Sequence, residues 1–130
     1  MPRNRARPLS PHLTHWRWGP HMFASIGHRA TGSALATVGA LGLTWWLAAL
    51  ASGPDAYDTF LAVARSPIGW IVAIGMTWVF FQHMAGGIRH WIMDMGAGFD
   101  LPSNKRMVFY TAGAAILLTA LYWAFALLGK

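Results

Sequence analysis

The sequence predicts an all-α membrane protein, three transmembrane helices behind an extended N-terminal arm, and three observations carry that reading. Residues 30–54, 66–88 and 107–129 contain no Asp, Glu, Lys or Arg. Each stretch is long enough to span roughly 33 Å or more as a helix, against a hydrocarbon core of about 30 Å. Only 11% of the 130 residues are charged and 55% are hydrophobic, where a soluble domain carries about 25% charged residues. The basic residues are also asymmetric. Eight of the ten (Arg3, Arg5, Arg7, Arg17, Arg29, Arg89, Lys105 and Arg106) fall on the N-terminal side of the spans, and only Arg65 and Lys130 on the other. By the positive-inside bias the N-terminus faces the cytoplasm, or a mitochondrial matrix.

The elements follow in order. Residues 1–24 form the arm, with Pro2, Pro8, Pro11 and Pro20 opposing regular structure and Trp16 and Trp18 suiting a membrane interface. Residues 25–130 form the three-helix domain, with spans over about 29–51, 67–91 and 107–128. The first helix starts near Ser25 and stops at the Ser52-Gly53-Pro54 turn. Asp55 to Arg65 reads as a short outer connection. Pro67 suits the first turn of the second helix. Gly96 to Asn104 is a loop in which Pro102 breaks any helix, and the third helix begins near Met107. Three helices enclose little interior, so the chain is expected to pack against partner subunits and lipid.

Several function classes drop out. The chain has no cysteine, which excludes Cys-ligated iron–sulfur clusters on it. It has no G-x-G-x-x-G or P-loop pattern, so nothing supports nucleotide or flavin binding. The +6 net charge brackets membrane spans and makes no nucleic-acid-binding stripe. The basic start runs into prolines, unlike a secretory signal, and is short for a mitochondrial transit peptide. A bacterial inner membrane is the expected location.

His83 stands out because it lies inside a charge-free span, where a titratable side chain marks a functional site. Gly86, Gly87 and His90 follow at i+3, i+4 and i+7, on one helical face. A bare imidazole beside a strip without side chains suits a flat macrocycle, with His83 on its metal. The plainer reading is a core histidine, with the glycines serving close helix packing. His90, roughly 10 Å further along, is placed to meet a charged propionate, and Asp94 at i+4 from it to orient its ring. Asp94 is equally a solvated acid in a basic loop. Ser25 and Arg29 share a helical face at i,i+4, a hydroxyl and a guanidinium able to polarise a quinone carbonyl as negative charge develops. Against that, Ser25 suits an N-cap and Arg29 a membrane-boundary anchor. His28 is expected at the boundary, about two turns shallower than His83, and His12, His15 and His21 lie in the arm. No second histidine matches His83 in depth, so a second axial ligand must come from another chain.

The segments RPLSPHL (7–13), SIGHRATG (25–32) and HMAGGIRHWIMDMG (83–96) resemble the cytochrome b subunit of succinate dehydrogenase, respiratory complex II, across all three spans. Trp16-Arg17 replaces the aromatic-basic pair that this family more often places as Tyr-Arg. The resemblance implies a three-helix anchor that holds haem b with a second small membrane-anchor subunit and docks the iron–sulfur and flavoprotein subunits. It implies His83 as axial haem ligand, Ser25 and Arg29 at a quinone site, and His28 and His90 near the propionates. The chain alone is then expected to have no activity. A fumarate reductase anchor is the nearest rival within that chemistry. Outside it stands a cofactor-free structural or assembly protein, which a chain-dependent low-spin haem spectrum would exclude.

Overall fold

The computed structural model describes residues 18–129, so most of the arm, including His12, His15 and Trp16, lies outside the described residues. Four helices follow one another, and among the described residues there is no strand. Helix α1 runs Pro20–Ser52, α2 Pro54–Ala64, α3 Pro67–Asp94 and α4 Leu101–Leu128. Helices α1, α3 and α4 are each long and apolar enough to cross a membrane, and this is a multi-pass membrane protein. Helix α3 lies in the middle, packed on both α1 and α4, and α1 also touches α4.

Helix α1 starts a turn and a half earlier than its sequence suggests. Extended Gly19 precedes Pro20 and its carbonyl accepts the N–H groups of Met22 and Phe23 at 3.0 and 3.3 Å. Pro20 sits in the first turn, where its missing N–H costs nothing. Ser25 is therefore inside the helix and is not its cap. Midway, Leu35–Gly39 forms a π-helical segment, one extra residue in the turn, of a kind often found at functional sites. Gly53 ends α1 in the left-handed region (φ 106°), open to glycine at little steric cost.

The outer connection is a helix of its own. Pro54 opens α2, Asp55 lies in its first turn near the positive end of the helix dipole, and Phe60 meets Trp45 of α1 edge-on at 5.0 Å. The segment is too short to announce itself by periodicity and is held by packing on its neighbours. At the other end Pro102 begins a helix instead of breaking one. Asp100 caps α4 by accepting the Ser103 N–H at 3.0 Å, with Pro102 in the first turn. That hydrogen bond holds the Asp100 carboxyl below its ordinary range.

The interior is made of small residues. Ala85, Ala115 and Thr119 are buried between helices, and the Thr119 hydroxyl donates to the Ala115 carbonyl at 2.7 Å. Close approach of small side chains is how helices associate in lipid, where apolar burial gives no net drive. The large apolar side chains, Leu41, Ile68, Ile71 and Phe125 among them, point outward. Trp78 faces an apolar groove of about 610 Å³ shared with Phe23, Gln82 and Phe109.

Candidate functional site

Three histidines converge where α1 crosses α3. The rings of His28 and His83 stack face to face, 4.1 Å between centroids and 2° from parallel. His90 tilts against His28 at 4.9 Å and 50°. The depth difference expected between His28 and His83 is therefore absent. It rested on a helix beginning near Ser25; with α1 beginning at Pro20, His28 is two turns inside and level with His83.

Glycines make this approach possible, and they work reciprocally. A Cβ at Gly86 of α3 would lie 2.7 Å from His28 Nδ1, and one at Gly32 of α1 would lie 2.8 Å from His83 Cε1. Each helix gives up a side chain where the other inserts an imidazole. Gly86 is buried against His28, so its bare surface receives a ring of this same chain and not the plane of a macrocycle. Close helix packing explains Gly86; a Cβ at Gly87 would make only an ordinary contact, 3.9 Å from His28 Cε1.

The environment of His83 fixes its tautomer. Nδ1 lies 3.0 Å from the His28 carbonyl oxygen and 3.2 Å from Thr31 Oγ1. The Thr31 hydroxyl is engaged with the carbonyls of Gly27 and His28 at 2.8 and 3.0 Å, so toward His83 it offers a lone pair. A carbonyl only accepts. Nδ1 must then carry a proton, and in the neutral ring this puts the lone pair on Nε2. A metal-bound imidazole is held in this way, its other nitrogen donating to backbone oxygen. Among the described residues no group of three His, Asp or Glu side chains is arranged to hold a metal ion by itself. One imidazole presented with Nδ1 bonded to backbone oxygen fits a haem, which needs few protein ligands, better than a metal ion held by side chains alone.

Nearer the α3 C-terminus the groups are polar and incompletely matched. His21, Ser25, Arg89 and His90 line a groove of about 410 Å³ with Phe99 and Asn104. Arg89 is only 5% exposed. Its Nη2 donates to Asn104 Oδ1 at 2.7 Å, and Asn104 Nδ2 in turn donates to Met93 Sδ at 3.4 Å. The Nδ1 atoms of His21 and His28 and the Nε of Arg89 are enclosed without a hydrogen-bond partner among the described residues. Most helical hydroxyls here bond back one turn, as Thr37 does to Ser33 and Thr44 to Ala40, whereas Ser25 Oγ has no partner among the described residues.

The sequence candidates are thus partly assembled. His28, His83 and His90 come together, and Ser25 joins His90 at the groove. Arg29 is exposed and outside the groove lining. Asp94 is exposed in the last turn of α3, and among the described residues no hydrogen bond joins it to His90. Arg89 and His21 escaped the sequence reading. Arg89 registered only as one of the eight inner charges, and His21 as part of the arm. The available signal was that Arg89 sits between His83 and His90 on one apolar helix.

Fold and site together define a three-span membrane subunit whose helices enclose a cluster of imidazoles at one end. Residues 3–123 match the succinate dehydrogenase/fumarate reductase transmembrane subunit family, and the chain belongs to that family. It is 37% identical over 112 residues to the succinate dehydrogenase cytochrome b556 subunit of Paracoccus denitrificans, covering 85% of each chain. It is 36% identical over 117 residues to the cytochrome b556 subunit of Rickettsia typhi, covering 90% of each. Against the mitochondrial cytochrome b560 subunit of Sus scrofa it is 36% identical over 102 residues, 74% of this chain and 57% of that one.

Proposed function

We propose that this chain is the haem-bearing anchor of a succinate:quinone oxidoreductase, with His83 as one axial ligand of haem b. The observation that carries the reading is the His83 tautomer: Nδ1 is committed to the His28 carbonyl, so Nε2 is left for iron. The other axial ligand comes from a second small membrane subunit. His28 is stacked flat on His83 and so would not share its metal with it. By the family resemblance His28 and His90 are assigned to the vicinity of the propionates. When bound, the haem supplies one-electron redox chemistry; the chain supplies ligation, orientation and charge.

Quinone reduction is assigned to the same end of the bundle. Ser25 lines the polar groove, and Arg29 follows one turn along α1, exposed beside it. A hydroxyl and a guanidinium stabilise the charge that develops on a quinone oxygen. The chain has no cysteine and so no cluster of its own, which makes an iron–sulfur subunit, fed by a flavoprotein, the source of electrons. Ser25→Ala and Arg29→Leu are each expected to lower quinone reductase activity about 100- to 1,000-fold, the range for losing one charge-stabilising donor. Electron transfer from succinate to a soluble dye should stay near the parental rate. A parallel fall in both activities would make the residues merely structural.

The N-terminus is assigned to the cytoplasmic side of a bacterial inner membrane, with the soluble subunits docked on that face. Single cysteines at Asn4 and Ser52 of this Cys-free chain report the orientation. In right-side-out vesicles an impermeant thiol reagent is expected to label the Ser52→Cys variant and spare Asn4→Cys. The reverse pattern would invert the topology and move the quinone site to the other face.

A further inference from the structure

We propose that Arg89 is the resident counter-charge for a haem carboxylate at the inner end of the bundle, and that it raises the haem reduction potential. The inference rests on the haem reading above and adds a residue to it.

A guanidinium that is 5% exposed is costly in a membrane protein unless an anion offsets it. Arg89 has one neutral partner, Asn104 at 2.7 Å, and its Nε–H is enclosed with no acceptor among the described residues. Among the described residues its surroundings supply burial and no carboxylate. Residues 1–17 contain no Asp or Glu, so an anionic acceptor is expected from outside the chain. It has a place to sit, because Arg89 lines the groove shared with Ser25 and His90. Arg89 is six residues along α3 from His83, a rise of roughly 9 Å, and adjoins His90.

The chemistry of the anion follows from permanence. Arginine is charged at every working pH, so it needs an acceptor present in every state of the complex. A quinone oxygen carries negative charge only during turnover. A haem carboxylate is present throughout and matches the planar fork of a guanidinium. A fixed cation beside the haem favours the form carrying the extra electron. Removing that cation lowers the potential.

The test is a redox titration of the haem in the assembled four-subunit complex, comparing the parent with Arg89→Gln, Arg89→Lys and Asn104→Ala. Arg89→Gln is expected to shift the one-electron equilibrium about tenfold toward oxidised haem, about 59 mV to lower potential. Arg89→Lys keeps the charge and should stay near the parent. Asn104→Ala keeps the charge while loosening Arg89 and the α3–α4 contact, and should move the potential by much less than Arg89→Gln does. An unchanged potential in haem-replete Arg89→Gln overturns the proposal. If that variant also shows a raised KM for quinone, Arg89 belongs to the quinone instead. An equal shift in Asn104→Ala likewise overturns it, because Arg89 would then act through helix packing. Should Arg89→Gln fail to assemble, Arg89→Lys decides: a parental potential supports the counter-charge, and failure shared with Asn104→Ala defeats it. A parent complex with no haem would instead defeat the haem reading itself.

Discussion

Replacing His83 with alanine is expected to abolish the low-spin b-type haem signal of the complex. The substitution removes the one imidazole among the described residues whose Nδ1 is tied to backbone oxygen, 3.0 Å from the His28 carbonyl, with Nε2 left as a ligand. Reduced-minus-oxidised spectra of membranes with matched subunit content measure it. A full-stoichiometry low-spin spectrum in His83→Ala would take His83 off the iron. Thr31→Val offers a graded companion. It removes the 3.2 Å contact to Nδ1 but leaves the His28 carbonyl in place. Partners that orient a metal ligand typically contribute 10- to 100-fold in affinity, and with one of two removed the loss should fall toward the lower end. Haem should remain bound in Thr31→Val, more weakly held under dilution or competition. The chain expressed alone should give no bis-ligated haem, because the ring beside His83 lies flat against it.

What the sequence revealed and what it hid follow from the physics of each signal. The spans were legible because excluding charge from hydrocarbon is a requirement of every residue in them. His83 was legible for the same reason, as an exception to that exclusion. The stacking of His28 on His83 was hidden, because relative depth depends on where two different helices start. A start at Ser25 and a start at Pro20 read equally well, since proline is tolerated in a first turn. Helix α2 was hidden because its eleven residues carry too little periodicity and owe their order to contacts such as Trp45–Phe60. Arg89 was hidden by its identity. Near a span end, an arginine that anchors at the surface and one that turns inward look the same in sequence. Only its 5% exposure separates them.

Gly86→Val is expected to disrupt the site almost as severely as loss of a ligand, without touching any group that bonds to iron. The first added carbon already lies 2.7 Å from His28 Nδ1, closer than carbon and nitrogen pack, and valine adds two more carbons beyond it. His28 has little room to withdraw, with His83 stacked on one face at 4.1 Å and His90 tilted against it at 4.9 Å. Relief therefore has to come from parting α1 and α3 or from turning His28 out, and either breaks the alignment of the His28 carbonyl with His83 Nδ1. Overpacking of this kind typically costs about 1–3 kcal/mol, and the ligand it displaces is the one the haem needs. Gly32→Val should act similarly from the other helix, since its Cβ would lie 2.8 Å from His83 Cε1. Gly75→Val supplies the control on α3, at a glycine whose Cβ would meet nothing of this chain within 4 Å. The haem-to-flavin ratio and the thermal midpoint of the purified complex are the measurements. Both should fall in Gly86→Val and Gly32→Val and stay near the parent in Gly75→Val. Retention of full haem in Gly86→Val would mean that the helices do not meet at this distance in the assembled complex, and the reciprocal glycine–imidazole packing would have to be given up.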